Sequence, residues 1–439
     1  MTAHSGITGR RADAIASSIE RGIAEGRLGH QQALPPVRSL AESLQVSPTT
    51  VASAYRMLRQ RGLVVGEGRR GTRVAHREAA PRLPIPTLAG AVNLADGNPD
   101  PVLLPDLEPL LRRLAAPRDL YGEPCALPEL AAVGRRLLAA DGIDATALSV
   151  VSGAMDGMER ILATQLRSGD RVAVEDPAFA GVLDLLAALG LVAVPFAIDS
   201  EGPDPDSLER VLASGVQAVV VTPRAQNPTG TAVSEARAAL LRKVLDRHPS
   251  VLLVQDDHAA GVAGAPLVSL HSKKRARHAY LRSMAKALGP DVRVALLVGS
   301  PDIVSRVEAR QLVGMRWVSR LLQRLVVAAL EDRTVTTAVA RAEKEYARRR
   351  RELIDALAAR GVKATGASGL NVWIPVREEG IALQALAGSG WSVAPGERFR
   401  LQASPGLRVT VSRLGGAPTE RFAADAAAAL IPGRGRASA

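Results

Sequence analysis

Apolar positions recur with helical period three times in the first 75 residues. Ala14, Ile15, Ile19 and Ile23 share one face of 11–26; Val37, Leu40, Ala41 and Leu44 share a face of a shorter segment; Val51, Ala54, Tyr55 and Leu58 line a third. Leu34-Pro-Pro36 breaks the chain before the second helix. Ser47 stands where an N-cap belongs and Pro48 at the first helical position, so the third helix runs from there to about Arg61 and stops at Gly62. Leu63–Val65 and Thr72–Val74 flank Gly66-Glu-Gly-Arg-Arg-Gly71, which predicts a β-hairpin with a glycine-rich tip. Three helices and a hairpin make a winged helix-turn-helix.

Further along the pattern changes. Residues 75–92 carry three prolines, several alanines and scattered arginines, the composition of a partly extended, semi-rigid linker. Short apolar runs then alternate with Ala/Leu/Arg helices: Arg171–Val174, Ala218–Val221, Val251–Gln255 and Ala295–Val298. That alternation predicts an α/β domain with a mainly parallel sheet covered by helices on both faces. Residues 331–360 read as one long arginine-dense helix, and 361–439 as shorter strands and helices of a smaller α+β domain. The expected organisation is 1–76 for the winged helix, 77–92 for the linker and 93–439 for the α/β region, its large part about 120–330 and its small part about 331–435. A chain of 439 residues is too long for a single core.

Charge sharpens this division. Residues 1–80 hold twelve arginines against six acidic residues, half of the chain's net +12 in under a fifth of its length. Such density suits a small nucleic-acid module; an arginine-rich solvated surface is the plainer alternative. Cys125 is the only cysteine, which excludes an intramolecular disulfide and leaves no cysteine-based metal site; no metal is expected. No apolar run approaches the length of a membrane span, and the N-terminus lacks the apolar core of a signal peptide, so a soluble cytoplasmic protein is expected.

Two places carry chemistry. Thr49 and Thr50 sit on the first turn of the third helix, where hydroxyls and free backbone N–H groups hold a phosphate or reach a base edge, and Ser47 caps that turn. Arg38 begins the preceding helix within reach of a phosphate. Arg69 and Arg70, with Gly71 at the hairpin tip, are placed to enter a minor groove. Tyr55 packs inward by its spacing, with its hydroxyl counted among the DNA contacts. The run Leu34-Pro-Pro-Val-Arg38 through Arg61-Gly62 resembles the GntR family of bacterial regulators, although many members carry arginine where this chain has Pro48.

The second place is Lys286, one of only 6 lysines beside 50 arginines. An amine loses its proton and forms an imine with an aldehyde, which a guanidinium does not do. Ser283 precedes it by three residues and Arg293 follows by seven. Together with four upstream motifs these residues resemble the class I aminotransferases, which implies fold type I of the pyridoxal 5'-phosphate-dependent transferases. By that resemblance Lys286 forms the Schiff base. Ala154 and Met155 of Val151-Ser-Gly-Ala-Met-Asp156 offer backbone N–H groups to the phosphate. Phe179 stacks on the ring, and Asn227 bonds its phenolic oxygen. Asp256 pairs with the ring nitrogen, with Asp257 turned elsewhere, to a helix cap. Ser283 and Arg293 bind the phosphate, and Tyr121 reaches the partner subunit's phosphate. Trp317 either approaches that site or packs locally. Arg408 clamps an effector carboxylate, with Arg224 a second anion binder. Two positions depart from the pattern: His258, where relatives have tyrosine and where an imidazole titrates near neutral pH, and Ala285, where many have serine.

A GntR-like winged helix joined to an aminotransferase-like domain resembles the MocR subfamily of regulators. The resemblance implies a homodimer that binds operator DNA as a duplex and senses pyridoxal phosphate, or a small amino compound reacting with it. The rival reading is a working aminotransferase with a DNA-binding appendage.

Overall fold

The computed structural model describes residues 6–25, 27–29, 32–60, 63–66, 71–74, 90–115, 118–272 and 275–431. Two compact units make up the chain, the first built around residues 1–82 and the second around 194–439 with most of 83–183.

The first unit contains the three helices read from the periodicity: α1 (Ala12–Ala24), α2 (Val37–Leu44) and α3 (Pro48–Gln60). Ile15, Ile19, Leu40, Val51, Ala54 and Leu58 form its core, almost without exposure. Gln45 adopts a left-handed conformation, φ 53°, and ends α2. The wing strands β1 (Val64–Gly66) and β2 (Thr72–Val74) pair antiparallel, and Leu34 N–H and Ala33 join their edge at Thr72 and Arg73. Gly62, Arg69, Arg70 and nearly all of the 77–92 linker lie outside the described residues.

The second unit begins with β3 (Val92–Asn93) and is organised on an eight-stranded sheet. Its strands are β4 (Leu148–Val151), β5 (Arg171–Asp176), β6 (Val192–Asp199), β7 (Gly202–Pro203), β8 (Ala218–Val221), β9 (Leu252–Asp257), β10 (His278–Ser283) and β11 (Ala295–Gly299), in the order β4-β11-β10-β9-β8-β5-β6-β7. β8, β9 and β10 are parallel neighbours, and every residue of β8 and β9 is buried, as expected of strands covered on both faces. The Ala295–Val298 run differs from the parallel expectation: β11 lies antiparallel to both β10 and β4. The connection from Ser283 to Ala295 is too short for a crossover, so the chain turns back.

The small part packs a three-stranded antiparallel sheet against the 26-residue helix Arg333–Ala358 and the helix Ala417–Leu430. Its strands are β12 (Asn371–Pro375), β14 (Ala394–Pro395) and β15 (Gly406–Thr410), with β15 central, while β13 (Trp391–Ser392) pairs in parallel with β3. Leu353, Leu357, Val372, Leu407, Val409 and Phe422 fill the space between. Asp332 starts the long helix by accepting from Thr334 and Val335 N–H, which relieves two first-turn donors.

Candidate functional site

The register brings one end of five strands together. Ser283, Ala295 and Val151 stand opposite one another across β10, β11 and β4, and Asp257 and Val221 close β9 and β8 at the same end. Glu175 at the end of β5 accepts from Thr222 N–H at 3.0 Å and from Gln226 Nε2 at 3.0 Å, which ties β5 to the turn after β8. Every motif of the 151–293 region thus opens onto one crevice at the carboxyl ends of the parallel strands, the usual place for a ligand in such a sheet.

Lys286 lies on the short helix Ala285–Leu288, immediately after β10. Its Nζ donates to Gly97 C=O at 2.5 Å. Burial and the positive charge of Arg408 bring the amine down to about 8, against an opposing pull from Asp96. Arg408 projects from β15, is buried, donates through Nη1 to Asn227 Oδ1 at 3.2 Å and through Nη2 to Ala95 C=O, and lies 4.9 Å over the Phe399 ring. Its Nε is buried without a partner, and burial pushes the guanidinium down to about 10. An unpaired buried donor is costly, and an anion beside it would relieve that cost.

Asp256 is buried at the end of β9 with Oδ1 unpartnered, and desolvation, reinforced by the adjacent Asp257, raises it to about 7. Asp257 points to the opposite side, where it is held by Arg224 (Nε–Oδ1 2.9 Å, Nη2–Oδ2 2.8 Å) and by the Tyr280 hydroxyl at 2.5 Å. Asp257 therefore caps no helix but anchors a buried ion cluster. The same geometry corrects the reading of Arg224 as an effector anion binder. Its third nitrogen donates to Ala265 C=O, so its donors are spent inside the protein. Arg282 extends the cluster by donating to Tyr280 and Asp141.

His258 Nε2 sits 2.9 Å from Ala225 C=O, and burial, with the charge of Lys286, pushes its pKa down to about 4. The imidazole is neutral near pH 7 instead of titrating there. Ala154 and Met155 open the helix Ala154–Gln165, so their N–H groups have no partner within it. Arg293 Nη2 donates to Ser152 C=O at 3.2 Å and lies so close to Gly153 (φ +88°) that a Cβ there would sit 2.7 Å from it. Ser283 Oγ accepts from Ala285 N–H at 3.3 Å, beside the same cradle. The half-buried Phe179 ring follows β5, and a Cβ on Gly181 would approach its Cε1 to 2.6 Å. Tyr121 stands apart, 80% exposed, with its ring 5.7 Å from Trp317 and under the Arg316 guanidinium.

These residues fit the aldehyde cofactor. A partly neutral amine, an unpartnered buried carboxylate, a neutral imidazole and a helix N-terminus backed by arginine face one crevice. The sequence assigned no role to three contributors: the Ala95 and Gly97 carbonyls, which belong to no motif, and, inside the motifs around Phe179 and Asn227, the Glu175–Gln226 pair and Asp176, which accepts from Leu401, Gln402 and Ala403 N–H at 2.7–2.8 Å. The only trace of the first was a turn-rich Asp96-Gly-Asn-Pro99.

In the helix-turn-helix unit, Ser47 Oγ accepts from Thr50 N–H at 3.1 Å and contacts both threonine hydroxyls, while Thr49 and Arg38 are exposed. Gly71 takes φ +91° at the wing with open space around it. Tyr55 is corrected. It is 1% exposed and its hydroxyl donates to Pro35 C=O at 2.7 Å, so it reaches no DNA. Among the described residues no helix is long and apolar enough to cross a membrane.

Residues 117–423 match the family model of aminotransferases of class I and II, and residues 11–74 that of the gntR family of bacterial regulatory proteins. The chain is 39% identical over 433 residues to the vitamin B6 salvage pathway transcriptional repressor PtsJ of Salmonella typhimurium, covering 97% of this chain and 99% of that one. It is 25% identical over 368 residues to the probable rhizopine catabolism regulatory protein MocR of Rhizobium meliloti, with 76% and 74% covered. Among solved structures, the kynurenine aminotransferase of Pyrococcus horikoshii superposes with a TM-score of 0.69 at 22% identity, over 77% of this chain and 91% of that one.

Proposed function

The chain belongs to the GntR-type transcriptional regulators fused to a class I and II aminotransferase domain, the MocR subfamily, and from that premise we propose that it is a repressor of vitamin B6 supply genes that senses pyridoxal 5'-phosphate. Pyridoxal phosphate is the cofactor of this fold; when bound it supplies an aldehyde that takes up a primary amine and a ring that withdraws electrons. One observation carries the sensor reading: Lys286, with its amine near 8, directly follows β10, and Asp256, buried with Oδ1 unpartnered, lies on its parallel neighbour β9.

On this reading Lys286 presents a neutral amine to the aldehyde. Asp256 holds a proton at the ring nitrogen and Asn227 orients the ring oxygen, whereas the single N–H of the neutral His258 imidazole goes to the Ala225 carbonyl. The Ala154 and Met155 amides, Ser283 and Arg293 receive the phosphate. Phe179 covers the ring, and Arg408 takes a carboxylate when an amino acid joins the site. Ser47, Thr49, Thr50 and Arg38 face the operator. The active form is a cytoplasmic homodimer in which the exposed Tyr121 reaches the partner subunit's phosphate.

The test is DNA protection beside the protein's own gene and beside vitamin B6 salvage genes, with and without pyridoxal phosphate, on the wild type and Lys286→Ala. The expected result is salt-sensitive protection that changes with the cofactor in the wild type and not in the variant, together with loss of the visible absorbance band in Lys286→Ala. An unchanged band in the variant overturns the assignment of Lys286. Lys286, Asp256 and Arg408 are also the lysine, ring carboxylate and carboxylate clamp that transamination requires, while His258 and Ala285 depart from the pattern and argue against turnover. Steady conversion of an amino donor and a 2-oxo acid at about 1 s⁻¹ or faster, without selective DNA binding, would replace the repressor by an enzyme.

A further inference from the structure

Two cationic groups of the site, Arg408 and Lys286, are held by backbone carbonyls of one short stretch, Ala95 and Gly97. Gly97 has φ +71°, and a Cβ there would lie 3.3 Å from Arg408 Nη1, so the backbone passes directly against the guanidinium. The stretch is fixed at both ends. On its C-terminal side Asp100 accepts from Arg349 Nη1 at 2.8 Å, Asp100 N–H donates to Tyr346 at 2.8 Å, and Asn98 C=O accepts from Ser412. On its N-terminal side Val92 N–H donates to Gly390 C=O at 2.9 Å, Leu94 N–H to Ser392 C=O at 2.8 Å, and Thr410 N–H to Leu94 C=O at 2.9 Å. Among the described residues Val92 and Leu94 are thus bonded to the small part beside β13 and β15, and five residues after Val92 the Gly97 carbonyl lies on the Lys286 amine.

We propose that residues 92–98 are the transmission strap of this regulator: occupation of Lys286 by pyridoxal phosphate releases the Gly97 carbonyl and alters the attachment of the chain leading to the DNA-binding unit. The inference rests on the sensor reading above and names its moving part. The amine and the aldehyde condense with loss of one water, which spends the N–H donors that held Gly97. A ligand shifts an equilibrium only through contacts that differ between two states, and this contact exists only while the amine is free. Leu94, bonded to Ser392 and Thr410, stands between Gly97 and Val92, so the proposed shift reaches Val92 through a change in those two bonds.

The experiment uses the full chain, pyridoxal 5'-phosphate as the probe, and Val92→Pro, which removes the N–H that bonds Gly390 and touches neither Lys286 nor Arg408. In the wild type the probe is expected to change operator Kd by about tenfold and to raise amide exchange across 92–98. Val92→Pro is expected to take up the probe with unchanged absorbance, while its operator Kd shifts by less than about twofold. A full operator response in Val92→Pro, or exchange across 92–98 that the probe leaves unaltered in the wild type, overturns the strap and leaves the sensor standing. The exchange measurement decides even if the variant folds poorly. Uptake with no operator response in the wild type overturns the sensor reading itself, and the strap with it.

Discussion

Replacing Asp256 by asparagine should stabilise the cofactor-free protein while weakening its hold on the cofactor. Asp256 is 4% exposed, its Oδ1 has no partner, and Asp257 beside it is an anion held by Arg224. Its pKa rises from 3.8 to about 7, chiefly through burial. A carboxyl raised in the folded state binds its proton more tightly there than in the unfolded chain. The resulting penalty starts near pH 4, grows as pH rises and levels off above about 7. Three pH units at about 1.4 kcal/mol each set the penalty near 4 kcal/mol at pH 8, and about 2 kcal/mol at pH 5.5. Asparagine keeps the shape and carries no charge, so urea unfolding of the cofactor-free proteins should show Asp256→Asn ahead by roughly those amounts, the gap widening between the two pH values. Titration with pyridoxal phosphate should show the opposite order, because the amide offers the ring nitrogen no charge. A gap that is the same at both pH values, or a variant less stable than the wild type at pH 8, would refute the claim that this carboxylate is held ready for a cation.

Arg224→Met should lower stability by about 3 kcal/mol, read by urea unfolding, because it removes the bidentate partner of the buried Asp257 and leaves only Tyr280 and Arg282 beside it, whereas amino-acid binding to the cofactor-loaded protein, read by absorbance, should be retained. Tyr55→Phe loses a buried 2.7 Å hydrogen bond and should cost about 1 kcal/mol in unfolding, with no change in the salt dependence of operator binding; Thr49→Ala should weaken operator binding instead. His258 is lowered from 6.5 to about 4, so the unfolded chain takes up its proton first and stability falls as pH drops from 6.5 towards 4, by up to about 3 kcal/mol. His258→Gln should flatten that limb of the stability–pH curve.

Much of the molecule is legible in one dimension because its signals are local. Ile15, Ile19, Val51 and Leu58 repeat at the helical period, and the same residues form the core of the first unit. Ala218-Val-Val-Val221 reads as a strand buried on both faces and is one. The order of Gly153, Phe179, Asn227, Asp256 and Lys286 is legible as well, since each lies at or shortly after the end of a strand.

The sequence by itself therefore determined most of the helices and strands and the joining of a winged helix to an aminotransferase-type domain, which depend on spacing within a few residues. Tertiary structure alone decided which charged groups are free to act. Asp256 and Asp257 are neighbours on one strand, and alternation sends one into the crevice and the other to Arg224. Tyr55 and Arg224 carry groups suited to phosphate or carboxylate, yet partners 20 and 33 residues away consume them. The Gly97 and Ala95 carbonyls belong to no motif, and they accept from Lys286 and Arg408, respectively, across 189 and 313 residues. Such pairings are set by how the sheet and the small part close on each other, and a backbone carbonyl has no residue type to betray it.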